Sequence, residues 1–221
     1  MKLTRFIKNE WLQLLILIMP FVIIAFVWDQ IPERVPIHWD FNGHADRFGS
    51  KGLGLFLLPI INIGLVLLIG ALSKIDPKAL KGSALPSALK PIRLIISGFM
   101  FAIFCITVLV LLGANVNIGV AFQLGLPILF LLLGYYLPSV QPNYFIGVRT
   151  PWTLESPENW RLTHRFAGRL WTIVSLLYII LAIALAGHAP VALFVTYLVM
   201  IIISPLVYSW VIFQRSKKQR S

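Results

Sequence analysis

The chain has 221 residues, 58% of them hydrophobic and only 12% charged, with a formal net charge of +11. Soluble domains carry about 25% charged residues, so this chain has too little polar surface to cover a water-soluble globule of its size, and lipid must solvate most of it. The lone cysteine, Cys105, lies inside an apolar run and is read as a small packing residue; it excludes an intrachain disulfide and a thiolate zinc site.

A helix needs about 20 apolar residues to cross a bilayer core, and six runs meet that length. They are Trp11–Trp28, Leu53–Leu72, Leu94–Gly113, Ile118–Leu137, Leu170–Ala186 and Pro190–Phe213. The third and fourth are joined only by Ala114–Asn117, and the fifth and sixth by Gly187–Ala189, which predicts tight helical hairpins. Strands are excluded for the spans because lipid cannot satisfy an open sheet edge. The basic start of the first run (Lys2, Arg5, Lys8) resembles a signal peptide. The run is too long for a signal core, and Phe26-Val27-Trp28-Asp29 is not a small-residue cleavage site, so a retained signal anchor is expected.

No charged residue lies in the middle of any run, which argues against ion-coupled transport, where the coupling ion is bound at depth. Asn62, Thr107, Gln123, Ser175 and Thr196 are the uncharged polar positions, expected to hydrogen-bond between helices. Pro20, Pro59, Pro127 and Pro205 fall inside four of the runs, where kinks that shape a bundle are expected.

Orientation follows from the basic residues. With the N-terminus in the cytoplasm, Lys and Arg number three in the N-terminal segment, five between Lys74 and Arg93, four between Arg149 and Arg169, and four in the tail. Only Arg34, Arg47 and Lys51 fall outside. This asymmetry predicts both ends inside. It absorbs the basic excess without direct binding of nucleic acid, and the tail 214–221 is read as an anchor facing anionic lipid. The expected architecture is one all-α transmembrane domain over 1–221. Its outer loop is 29–52 and its cytoplasmic loops are 73–93 and 138–168.

The outer loop carries the first informative stretch. Pro32 and Pro36 favour extended backbone and stop the first helix, and Phe41-Asn42-Gly43 is a turn signal. Trp39 and Phe41 alternate with Asp40 and Asn42 in a short extended piece, and such aromatics suit the lipid–water interface. His38-x-Asp40 and His44-x-Asp46 flank the turn, and a hairpin joining them would bring together imidazole and carboxylate ligands. The spacing is unspecific and no nucleophile motif accompanies it, so ordinary hydrogen bonding is preferred. No metal site, cofactor or catalytic residue is assigned.

In the inner loop 138–168, Ser156-Pro157-Glu158 is a helix start, with a cap, a proline in the first turn and an acid near the positive end. That helix should run into the fifth span. Trp160, His164 and Gly168 share one of its stripes, and Arg161, Arg165 and Arg169 the adjacent one. A basic stripe beside aromatics suits anionic headgroups or a docked cytoplasmic protein.

Together the two loops resemble the SdpI family of bacterial membrane proteins. The stretch Pro36-x-His38-Trp39-x-x-x-Gly43-x-x-Asp46-x-x-Gly49-Ser50-Lys51 is similar to the small domain that opens the family. Its second signature is resembled by Asn143-x-x-Ile146-Gly147-Val148-Arg149-Thr150-Pro151-Trp152-Thr153, with Trp160 and Thr163-His164 downstream. The resemblance implies a bacterial immunity protein, not an enzyme, in the cell membrane. It would protect its cell from a secreted, membrane-active peptide toxin and act as a sensor holding a small helix-turn-helix repressor at the membrane. On that reading the toxin-facing candidates are His38, Trp39, Asp40, Phe41, Gly43, His44, Asp46 and Lys51. The candidates for the cytoplasmic partner or headgroups are Asn143, Gly147, Arg149, Thr150, Trp152, Trp160, Arg161, His164, Arg165 and Arg169. The competing readings are a small-molecule or lipid transporter and, behind it, an outer-face membrane enzyme using His38, Asp40, His44 and Asp46.

Overall fold

The structure, a computed structural model, describes residues 2–40, 43–77, 85–185 and 189–218. Phe41 and Asn42 of the turn, 78–84 of the 73–93 loop, the 186–188 link and the last three residues of the tail lie outside the described residues. The order is α1 (Lys2–Val27), a hairpin of β1 (Arg34–Trp39) and β2 (Ala45–Ser50), α2 (Lys51–Ile75), α3 (Leu85–Leu111), α4 (Ile118–Tyr136), α5 (Pro151–Glu155), α6 (Pro157–Ala184) and α7 (Val191–Lys218).

Six of these helices are long and apolar enough to cross a membrane: Asn9–Gln30, Lys51–Leu72, Leu89–Leu111, Ile118–Ser139, Pro157–Ala184 and Val191–Lys218. They match the six expected runs, the fifth being extended by its amphipathic start. Between 17 and 28% of the apolar 18-residue stretch in each span is buried, so most of each apolar surface is left to lipid. Pro20, Pro59, Pro127 and Pro205 sit inside continuous helices, as does Pro91 in α3.

The residues group into two compact units, Met1–Leu68 with Arg93–Phe122, and Ile69–Ile92 with Gln123–Ser221. In the first, Ile24, Ile31, Val35, Leu55, Phe104, Val108 and Leu111 form the core. Val35 ties the hairpin to α2, because a Cβ on Gly54 would lie 2.6 Å from its Cγ2 atom. A polar layer joins three helices in this unit. Gln13 Nε2 donates to Ser97 Oγ at 2.8 Å, Asn62 Nδ2 donates to the Ser97 carbonyl at 3.2 Å, and Arg93 pairs with Glu10. The sequence reading left Glu10 and Arg93 outside the apolar runs. The helices carry them further in, where both side chains are about one-fifth exposed and bonded to each other.

The second unit has a core of Tyr178, Ala182, Ala189, Phe194, Tyr197 and Ile201. Ser175 Oγ and the Tyr197 hydroxyl lie 2.9 Å apart, and the Tyr178 hydroxyl donates to Gln123 Oε1 at 3.2 Å. Asn62, Gln123 and Ser175 thus bond between helices as expected. Thr107 and Thr196 instead donate to their own helix at Ile103 and Ala192, the local alternative open to a hydroxyl. Helices α4 and α6 cross backbone to backbone: a Cβ on Gly168 would lie 2.7 Å from the Gly134 carbonyl oxygen. Only glycine permits that approach.

Candidate functional site

The hairpin is built as its prolines and turn residues require. β1 and β2 pair antiparallel from Arg34↔Ser50 to Trp39↔Ala45, with irregularities around His38. Asp40 organises the turn. Its carboxylate accepts the His44 N–H at 2.8 Å, its N–H donates to the His44 carbonyl at 2.8 Å, and its carbonyl accepts the Gly43 N–H at 3.0 Å. Gly43 has φ +84°, and a Cβ there would meet Asn117 Oδ1 at 2.9 Å. The turn is therefore seated against the α3–α4 link, and glycine is required twice over, by conformation and by space.

The four histidine and aspartate residues form two separate pairs. His38 Nδ1 lies 2.6 Å from an Asp46 carboxylate oxygen, and His44 Nδ1 lies 3.5 Å from Asp40. Among the described residues no group of three or more His, Cys, Asp or Glu side chains is arranged to hold a metal ion. His38 and Asp46 are each about half exposed, and Trp39 and Asp40 are half-buried. Lys51 is committed at the base, its ammonium 2.7 Å from Glu33 and 4.5 Å from the Trp28 ring centroid.

The second loop is a knot. Asn143 uses every hydrogen-bonding position it has: Oδ1 accepts the N–H groups of Phe145 and Ile146, and Nδ2 donates to the carbonyls of Gln141 and Ile146. The Tyr144 N–H donates to the buried Asp76 at 2.8 Å. Gly147 has φ +122°, and a Cβ there would lie 2.2 Å from His164 Nε2. The next residue, Val148, donates its N–H to that same nitrogen at 3.1 Å, while His164 Nδ1 faces the Trp160 carbonyl at 2.9 Å. A carbonyl only accepts and an amide N–H only donates, so the partners select the neutral imidazole with its proton on Nδ1.

From there the chain is capped twice. Thr150 and Thr153 form a reciprocal capping box on α5, and Ser156 caps α6 by accepting the Asn159 N–H, as its sequence predicts. Trp160 stacks on His164 with centroids 4.0 Å apart and donates its indole N–H to the Val140 carbonyl at 2.8 Å. Ser209 of α7 gathers the rest. Its hydroxyl accepts from Trp152 at 2.7 Å, and its carbonyl accepts from Asn159, whose Oδ1 takes the Thr163 hydroxyl.

Asn143, Thr150, Trp160 and His164 were candidates for contact with a partner or headgroups, but all four are buried, because their polar atoms are consumed by the loop and by α6. The stripes on α6 are as read, yet the Trp160–His164–Gly168 stripe faces inward. Arg149, Arg161, Arg165 and Arg169 remain exposed, Arg161 paired with Glu158 at 2.6 Å, and Trp152 is half-buried. The sequence reading missed Asp76, Asn117, Asn159 and Ser209. Of these only Asn159 had a usable signal, lying one turn before Thr163 on the same helix.

Residues 139–209 match the SdpI/YfhL protein family, and residues 15–63 match a domain of unknown function, DUF1648. The chain is 27% identical over 199 residues, 90% of its own length and 93% of the relative's, to the immunity protein SdpI of Bacillus subtilis (strain 168). No solved structure matches. With six apolar helices and an immunity protein as a relative along nearly its whole length, the chain is a multi-pass cell-membrane protein.

Proposed function

We propose that this chain, whose residues 139–209 match the SdpI/YfhL protein family, is an integral membrane immunity protein that protects its cell against a secreted, membrane-active peptide. The observation that carries this is the end-to-end relationship to a protein named for immunity, which includes the hairpin and the knot alike. The hairpin is outside and the 138–168 loop inside, as the basic residues direct. A peptide arriving from outside meets the hairpin first. Trp39 offers an aromatic anchor of the kind that dominates recognition, flanked by the polar pairs His38–Asp46 and His44–Asp40. Inside, the exposed Arg149, Arg161, Arg165 and Arg169 are the surface for a small helix-turn-helix repressor, which makes protection and signalling separable.

The test is survival of a sensitive bacterium under peptide challenge, with membrane levels checked. Trp39→Ala and Asp40→Asn are expected to abolish protection, and full protection by both would remove the hairpin from the toxin-facing role. Failure of the unmutated protein to protect would overturn the immunity function. Orientation is read with an impermeant thiol reagent on intact cells, using Ser50→Cys or Glu155→Cys in a Cys105→Ser background. Labelling of the second site but not the first would reverse it.

A further inference from the structure

The polar layer of the first unit is incomplete. Gln13 and Asn62, 4% and 2% exposed, each donate one N–H to Ser97, which is wholly buried. Their carbonyl oxygens, Gln13 Oε1 and Asn62 Oδ1, are buried without a hydrogen-bond partner, and so is Arg93 Nε. Arg93 lies one turn before Ser97 on α3, and its other guanidinium arm holds Glu10, which lies nearly one turn before Gln13 on α1. The atoms with no partner at all are therefore two acceptors and one donor, on three helices that meet around Ser97.

Turning the amides over does not remove the deficit. Asn62 reversed would set Oδ1 against the Ser97 carbonyl, two acceptors face to face. Gln13 reversed would pair with the Ser97 hydroxyl but leave its NH2 without an acceptor. Buried polar atoms in an apolar surround are ordinarily satisfied, so the composition of the deficit identifies what is needed.

We propose that this site holds one internal water molecule. Its two O–H groups donate to Gln13 Oε1 and Asn62 Oδ1, and its lone pairs accept from Arg93 Nε–H. That is about three hydrogen bonds, the usual number for a buried water. A bare cation would serve the two oxygens but be repelled by Arg93 and leave its N–H unpaired. An ammonium group has the same defect, having no lone pair to accept with. The Glu10–Arg93 pair already balances charge, so a neutral guest that both donates and accepts is the one that fits.

The experiment is water–protein NOE spectroscopy on the full chain, 15N-labelled, in lipid nanodiscs containing Na+. The Gln13 and Asn62 side-chain NH2 protons are expected to show cross-peaks at the water frequency with the sign of a long-lived bound water. Replacing Na+ with N-methyl-D-glucamine should leave them unchanged. Asn62→Leu, which removes one acceptor, should reduce the Gln13 cross-peak at least several-fold in a protein whose hairpin resonances are unaltered. Absence of the cross-peaks in the unmutated protein, or their dependence on Na+, would overturn the proposal. A Gln13 cross-peak of full strength in a folded Asn62→Leu protein would overturn the bridging geometry.

Discussion

The hairpin and the 140–164 loop carry similar densities of polar and aromatic residues and put them to opposite use. In the hairpin, polar side chains pair with one another and stay open to solvent, as His38 does with Asp46. In the second loop, Asn143, Thr150, Thr153, Asn159 and His164 bond to backbone and to each other, and all five are buried. A motif rich in hydrogen-bonding residues therefore says nothing by itself about ligands. What separates the two regions is whether the backbone nearby has unmet donors and acceptors that those side chains must serve.

Substitutions test this contrast. The largest effect is expected at Gly147. An Ala there meets both a left-handed backbone position and the His164 ring, and should cost about 3 kcal/mol of stability. Thermal unfolding in detergent would detect this as a large fall in Tm, and an unchanged Tm would mean that the loop is not locked. Next, Asn159→Leu removes the bond to the Ser209 carbonyl and strands the Thr163 hydroxyl, at a cost of about 2 kcal/mol. Trp152→Phe and Ser209→Ala should then be non-additive by about 1 kcal/mol, since each removes the same hydrogen bond. In the hairpin, Asp46→Asn should move stability by no more than about 0.5 kcal/mol, because the pair it weakens is half exposed. Smallest of all, Arg165→Glu with Arg169→Glu should leave stability and the proposed protection unchanged while abolishing the proposed repressor recruitment in a pull-down from membranes. Retained recruitment would move that contact elsewhere.

Much of the fold was legible because its signals are one-dimensional. Six apolar runs, the Ser156-Pro157-Glu158 start and the two stripes on α6 all depend on neighbours within a turn or two. The Gly43 turn was legible for the same reason. The burial of Trp160 and His164 was not, since an aromatic–histidine stripe beside arginines reads equally as a membrane-surface face. What decides the matter is Gly147, 17 positions before His164, and a backbone close enough to leave no room for a Cβ. The polar layer was half legible. Asn62 was expected to hydrogen-bond between helices, but its partner Ser97 is 35 residues away and Gln13 reaches the same serine from 84 residues away. Nothing local announces such a meeting.

The role of Ser209 bears on how the protein is made. The bonds from Trp160 to Val140 and from Val148 to His164 span 20 and 16 residues, so they can close as soon as the start of α6 has been synthesised. Asn159 must then wait for a carbonyl 50 residues further on, an interval of about 3–10 s at ordinary rates of synthesis. During that time a nascent chain carries its amide, and the indole of Trp152, without their final acceptors. Arrival of the last span closes both at once. A chain that stalls before α7 is thus chemically distinguishable from a finished one.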